Sequence, residues 1–138
     1  MIIFINLCER FPILIPVTVL LVTEFLKITI DFVKTGKLSL KSFFSTGGIP
    51  SGHSAFTSSL IVVVLDRMGI GSVEFAIVLV FGSLVIFDSV KLRAEAGKHA
   101  VVLNYLTGAK NLNERLGHTV FEVMTGIFLG VGIAFLLI

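Results

Sequence analysis

The sequence predicts an all-α fold: a polytopic membrane helical bundle with about four transmembrane helices. Three observations predict it. Hydrophobic residues make up 55% of the 138-residue chain and charged residues only 14%, against roughly 25% charged in a typical soluble domain. The mean hydropathy is +1.03. The apolar residues also fall into four runs near the length of about 20 residues that a helix needs to cross the hydrocarbon core. The chain length suits one domain, so residues 1–138 are expected to form a single membrane-embedded unit.

The opening MIIFINL is too short to cross and is expected to lie at the interface or to extend the first helix. No basic region precedes this run and no small-residue cleavage site follows it, so no cleaved signal peptide is expected. Cys8 is the one cysteine, which rules out an intrachain disulfide, and it reads as a plain apolar residue. The first span runs from about Phe11 to Lys34 and carries Glu24, Lys27 and Asp31. Their spacings of three and four share one helical face. Charges at this depth are costly and point into the bundle. Lys27 either reaches a polar site or neutralises Glu24 and Asp31; the structural role is favoured.

The second span starts at Ser51 and ends near Met68, inside a stretch free of Asp, Glu, Lys and Arg from Ser42 to Leu65. A short turn, DRMGIGS, leads to the third span, about Val73 to Leu92. The fourth runs from about Gly117 to Ile138. The links beginning KTGKLSLK (34–41) and covering 98–116 are longer. Gly126 and Gly130 form a GxxxG, which suits close packing within the bundle or between protomers, so a homodimer is a reasonable expectation. The thirteen Phe are most simply lipid-facing and core residues.

Four antiparallel spans put three polar clusters on one membrane face: GGIPSGHSA (47–55), DSVKLRAEAGK (88–98) and GHTVFE (117–122). That face carries eight basic residues, Lys34, Lys37, Lys41, Lys91, Arg93, Lys98, Lys110 and Arg115, against Arg10 and Arg67 on the other. The positive-inside rule makes the rich face cytoplasmic. The net charge of +2 gives no sign of nucleic-acid binding.

The clusters allow specific chemistry, each beside a plainer reading. GGIPSGHS opens a helix, whose free N–H groups and partial positive charge suit a phosphate, with His53 able to donate a proton near neutral pH. The plainer reading is a helix capped by Ser51 or Ser54, with His53 at the interface. His118 and Glu122, four apart at the head of the fourth helix, share a face. A carboxylate there keeps one imidazole nitrogen protonated and frees the other as nucleophile or base; an interfacial ion pair is the plainer alternative. Arg93 and Lys98 either bind phosphate oxygens or anchor the chain at the membrane surface. Lys91 and Lys110 read as anchors. Asp88 can orient Arg93 or pair with Lys91. His99 reads as a surface residue.

These motifs resemble a family. PSGHS (50–54) is similar to the PSGH signature of the type-2 phosphatidic acid phosphatase superfamily, which includes vanadium haloperoxidases. GGIPSGHSA, FDSVKLRAEAGK (87–98), AVVLN (100–104) and LGHTVFEV (116–123) together resemble its small, divergent membrane branch over nearly the whole chain. The resemblance implies a phosphatase-like domain that hydrolyses lipid phosphates through a phosphohistidine, with no metal or other cofactor. His118 would be the nucleophile, with Glu122 where an aspartate usually stands, and His53 would protonate the leaving group. Ser51 and the Gly52 N–H would bind phosphate oxygens, completed by Arg93 and Lys98, with Asp88 and Lys27 in supporting positions. The superfamily's lysine–six residues–Arg-Pro motif is absent; Lys34 and Lys41 keep only its spacing, and the basic cluster follows PSGH instead. The Ser-Arg that normally lies upstream of the nucleophile is also absent, and Arg115 is only three residues before His118.

The expected substrates are amphiphiles such as phosphatidic acid, phosphatidylglycerol phosphate and polyprenyl phosphates or diphosphates, reached from the cytoplasmic face of a cell (inner) membrane. The alternatives are a non-catalytic phospholipid-binding or assembly subunit and a lipid phosphate transporter.

Overall fold

A computed structural model of the chain describes residues 2–36, 48–109, 111–114 and 116–138. Lys37, Lys41, Lys110 and Arg115 of the charge count, and Gly47, lie outside the described residues. The described residues form helices and connecting turns: α1 (Ile2–Arg10), α2 (Leu14–Thr35), α3 (Gly52–Met68), α4 (Val73–Val90), α5 (Leu92–Thr107) and α6 (Val120–Leu137).

Local chemistry sets the boundaries. Residues 2–7 do not extend the first span; they form part of the separate helix α1, divided from α2 around Pro12, which has no N–H to continue the ladder. Gly36 ends α2 at φ 66°, with its N–H bonded to Phe32 O, as a left-handed C-terminal cap does. Ser51 caps α3 and Ser72 caps α4, each accepting from the backbone N–H three residues on.

Two expectations need correction. The third span does not give way to a link at 98. The helix passes Lys91 into α5 and ends only at Gly108. Charge marks where a crossing ends, but Ala, Glu, Lys and Leu are strong helix formers and carry the helix beyond it. The fourth helix starts at Val120, not Gly117, and His118 precedes its cap, Thr119.

α3 is the centre of the bundle and packs against α2, α4 and α6. Its buried residues are small or polar: Ser54, Ala55, Thr57, Ser58 and Ser59 among them. The serine hydroxyls are satisfied within the bundle; Ser54 Oγ donates to Ser51 Oγ, Ser58 Oγ to Ala55 O and Ile127 O, and Ser59 Oγ to Phe56 O. The outer surface is the reverse. Phe121, Phe128 and Phe135 form an exposed stripe on α6, and Leu79, Val80, Leu84 and Phe87 stand exposed on α4. Apolar outside and polar within is the arrangement that lipid as solvent favours. The run Val73–Thr107 and α6 are each long and apolar enough to cross a membrane. The 17-residue α3 is largely enclosed by its neighbours, and α2 turns its internal charges Glu24 and Lys27 inward while Leu21 and Phe25 stand exposed on its outer face.

The GxxxG is used inside the chain. A methyl group at Gly126 would collide with Ser51 O, and one at Gly130 with Ala55 O and Ser58 Oγ. α6 therefore lies directly on the first turns of α3, and the pattern that made a second protomer reasonable is occupied within one. At the other end, Cys8, Ile15, Val62, Val63 and Ala134 close the bundle in an apolar cluster.

Candidate active site

The ends of α4 and the beginnings of α3 and α6 meet, held by backbone bonds between segments far apart in sequence. Ser51 N donates to Glu122 O (3.1 Å), and His118 N donates to Ser89 O (2.9 Å). Ile49–Pro50 is a cis peptide that precedes the cap of α3. Gly117, at φ 89°, packs on the backbone of Arg93 and Ala94, where any Cβ would clash. That contact draws the start of α5 against the segment carrying His118.

His118 is buried, and its Nδ1 lies 3.0 Å from Glu122 Oε2. A carboxylate oxygen accepts, so Nδ1 is the nitrogen engaged by Glu122, and Nε2 is the ring nitrogen left outside the pair. The pair forms although His118 is not on the helix. Glu122 belongs to a capping box with Thr119 and reaches back over the helix start, where the same Oε2 also accepts from Thr119 N (3.2 Å). Reaching back brings the carboxylate to the imidazole just before the cap.

The His53 ring lies 6.2 Å from that of His118, centroid to centroid, tilted by 59°. His53 is exposed where His118 is enclosed. Arg93, Lys27 and Glu24 lie within electrostatic range of His53. Arg93 Nε stands 3.7 Å from Asp88 Oδ2, so Asp88 orients Arg93. Lys27 bonds both oxygens of Glu24 at 3.0 Å in a buried ion pair. Glu24 in turn lies against Gly52; a Cβ there would overlap its Oε1. The favoured structural role of Lys27 holds for Glu24, and its stem also touches the space over Gly48.

Ser51 is fully buried and acts as the cap; its Oγ is in contact with Ser54 N (3.4 Å) and Ser54 Oγ (3.0 Å). The structure does not bring Lys98 to the histidines by any contact. Its side chain is 71% exposed and its ammonium donates to Glu95 at 2.6 Å. His99 is exposed, as expected.

Sequence reasoning passed over Asn104, the last residue of AVVLN. Buried on α5, it bonds Leu112 O, Leu112 N and Glu114 Oε1, and so ties the segment that leads to His118 onto the helix. An amide among apolar neighbours was the available signal. Gly117 was the other: a glycine directly before a candidate nucleophile marks a backbone that must come close.

A sequence profile described as "Divergent PAP2 family" matches residues 8–133. The chain belongs to the divergent PAP2 family. This divergent PAP2 protein is 30% identical, over an alignment of 154 residues, to the uncharacterized membrane protein YuiD of Bacillus subtilis (strain 168). The alignment covers 94% of this chain and 98% of that one. No solved structure matches it. The similarity to a membrane protein and the two helices long and apolar enough to cross a bilayer support a place in the membrane.

Proposed function

We propose that this divergent PAP2 protein is a membrane lipid phosphate phosphatase working through a phosphohistidine. The observation that carries the reading is the buried His118–Glu122 pair at 3.0 Å, with a second, open histidine 6.2 Å away at the capped start of α3. The Nε2 lone pair of His118 attacks phosphorus, and the bond from phosphorus to the lipid oxygen breaks. His53 gives its proton to the departing alkoxide, or to the departing phosphate of a diphosphate. Water then attacks the phosphohistidine, the P–N bond breaks, His53 accepts the water's proton, and inorganic phosphate leaves.

Arg93 and the first N–H groups of α3 stabilise charge on the equatorial oxygens. Lys27 keeps Glu24 from repelling the anion. The candidate substrates are phosphatidic acid, phosphatidylglycerol phosphate and polyprenyl phosphates or diphosphates. We place the site on the cytoplasmic face, because Lys34, Lys91, Arg93 and Lys98 flank it while Arg10 and Arg67 lie at the far end.

The test is phosphate release by purified protein from a panel of these lipids, without added metal, beside His118→Ala and His53→Ala. Release by wild type alone is expected. Full release by His118→Ala overturns the mechanism. Vanadate binding with no release from any lipid supports the second reading, a lipid-phosphate-binding subunit. That reading draws on the pairing of Lys27 and Arg93, the cations within electrostatic range of His53 among the described residues, with carboxylates.

A further inference from the structure

A groove of about 360 Å³ runs along the outer side of α3, between α2 and α4. Its walls are Leu20, Phe56, Leu60, Val78, Phe81 and Val85. Its ionisable side chains, His53 and Glu24, line one end beside Gly52, and Thr57 is the one other polar side chain along it. From His53 to Leu60 the helix rises about 10 Å, so the groove leads from the histidines toward the middle of the bundle. The floor is sealed at Gly82, where α4 comes so close to α3 that a Cβ would lie 2.7 Å from Thr57 Cγ2 and 2.9 Å from Ile61 Cδ1.

The geometry points to a single hydrocarbon tail of a lipid phosphate lying in this groove, with its phosphate at His53 and His118. The inference rests on the phosphatase reading for the headgroup end, and it adds the position of the tail. Three features argue for a lipid tail over any other occupant. The groove opens on a span that lies at hydrocarbon depth, so lipid is the neighbouring phase. Its one polar end is the candidate active site. Its volume falls at the lower end of ligand pockets, which run from about 300 to 1,000 Å³, which suits one chain. Seated there, a tail fixes the distance of the phosphate from His118 and prepays part of the orientation cost of the reaction.

The test is photolabelling in nanodiscs with hexadecyl phosphate bearing a mid-chain diazirine, in the His118→Ala background, with labelled residues mapped by mass spectrometry. Label is expected on Phe56, Leu60, Val78 and Val85. It is expected to fall about tenfold in Leu60→Trp and again in Val78→Trp, since filling the groove removes the burial of a few methylenes. Two variants on different helices guard against one that fails to fold. Label spread as heavily over Phe121, Phe128 and Phe135 of α6, and unchanged by both tryptophans, overturns the proposal. Groove labelling without phosphate release by wild type keeps the groove and removes the phosphatase reading. Release without groove labelling does the reverse.

Discussion

Two helix N-termini face each other in the site, and they are built differently. α6 starts with a capping box whose own carboxylate, Glu122, lies over its first turn. α3 starts with Ser51 and has no acidic residue in its first turn. Both have the partial positive charge of a helix start. At α6 that charge is already answered, and the carboxylate that answers it also holds His118. At α3 the carboxylate alongside, among the described residues, is the paired Glu24, and the exposed His53 sits one residue into the helix. On the proposed phosphatase reading the difference divides the work: α6 would prepare a nucleophile, and α3 would receive an anion.

The sharpest way to break this comparison is Glu122→Gln. The amide can still cap α6, but it no longer fixes the proton on His118 Nδ1. Turnover is expected to fall about 10²- to 10⁴-fold, as when the carboxylate partner of a catalytic histidine is made an amide. Thermal unfolding in detergent is expected to shift little. Turnover within a factor of about three of wild type, measured as phosphate release, sinks the assignment of α6.

The second test strikes beside α3. Lys27→Met leaves Glu24 as a buried carboxylate with its lysine gone, next to Gly52. Breaking such a pair costs about 3–5 kcal/mol. It also places bare negative charge beside the proposed anion position, so vanadate affinity is expected to drop. The double variant Glu24→Gln/Lys27→Met is expected to recover most of the stability. Equal denaturation midpoints for the single variant and wild type would show that Glu24 is not held by Lys27.

Much of this division was legible in the sequence, because it follows from topology. Four antiparallel spans bring residues 51–54, 88–93 and 118–122 to one end without any knowledge of packing. What sequence could not supply was rotation about the helix axis and contact between distant segments. Lys98 is five residues after Arg93, which turns it about 140° around α5; a link over 98–116 has no faces, so the sequence alone groups Lys98 with the site. Charge marks the end of a crossing and says nothing of where the helix itself ends, so α5 is not legible there. The approach of Glu24 to Gly52, and the groove over α3, depend on how α2 and α4 lie on α3, which no local period records.

A smaller effect separates capping from chemistry at α6. Thr119→Val removes the hydroxyl in contact with Glu122 N at 3.3 Å, and losing such a cap costs about 1 kcal/mol. The Thr119 N–H and the His118 ring still hold Glu122 Oε2. Stability is expected to fall while turnover changes less than about threefold. A loss of turnover as large as that of Glu122→Gln would mean that the cap, and not the carboxylate–imidazole pair, positions the nucleophile.

The smallest effect expected is at Lys98, and it sharpens the boundary of the anion site. Lys98 and Glu95 form an exposed pair three residues apart on α5. Pairs of that kind are worth about 0–1 kcal/mol, so Lys98→Ala is expected to leave the unfolding midpoint nearly unchanged. It is also expected to leave vanadate affinity within about twofold, because its ammonium is bound to Glu95 and points to the surface. Arg93→Ala is the matched control: Arg93 lies in electrostatic range of His53 and is oriented by Asp88. Losing a charged donor to an anion is expected to cost about tenfold or more in vanadate affinity. Equal losses at the two positions would mean that the anion is held by the general positive charge of α5. In that case the start of α3 would not be its seat, and the contrast between the two helix starts would fail with it.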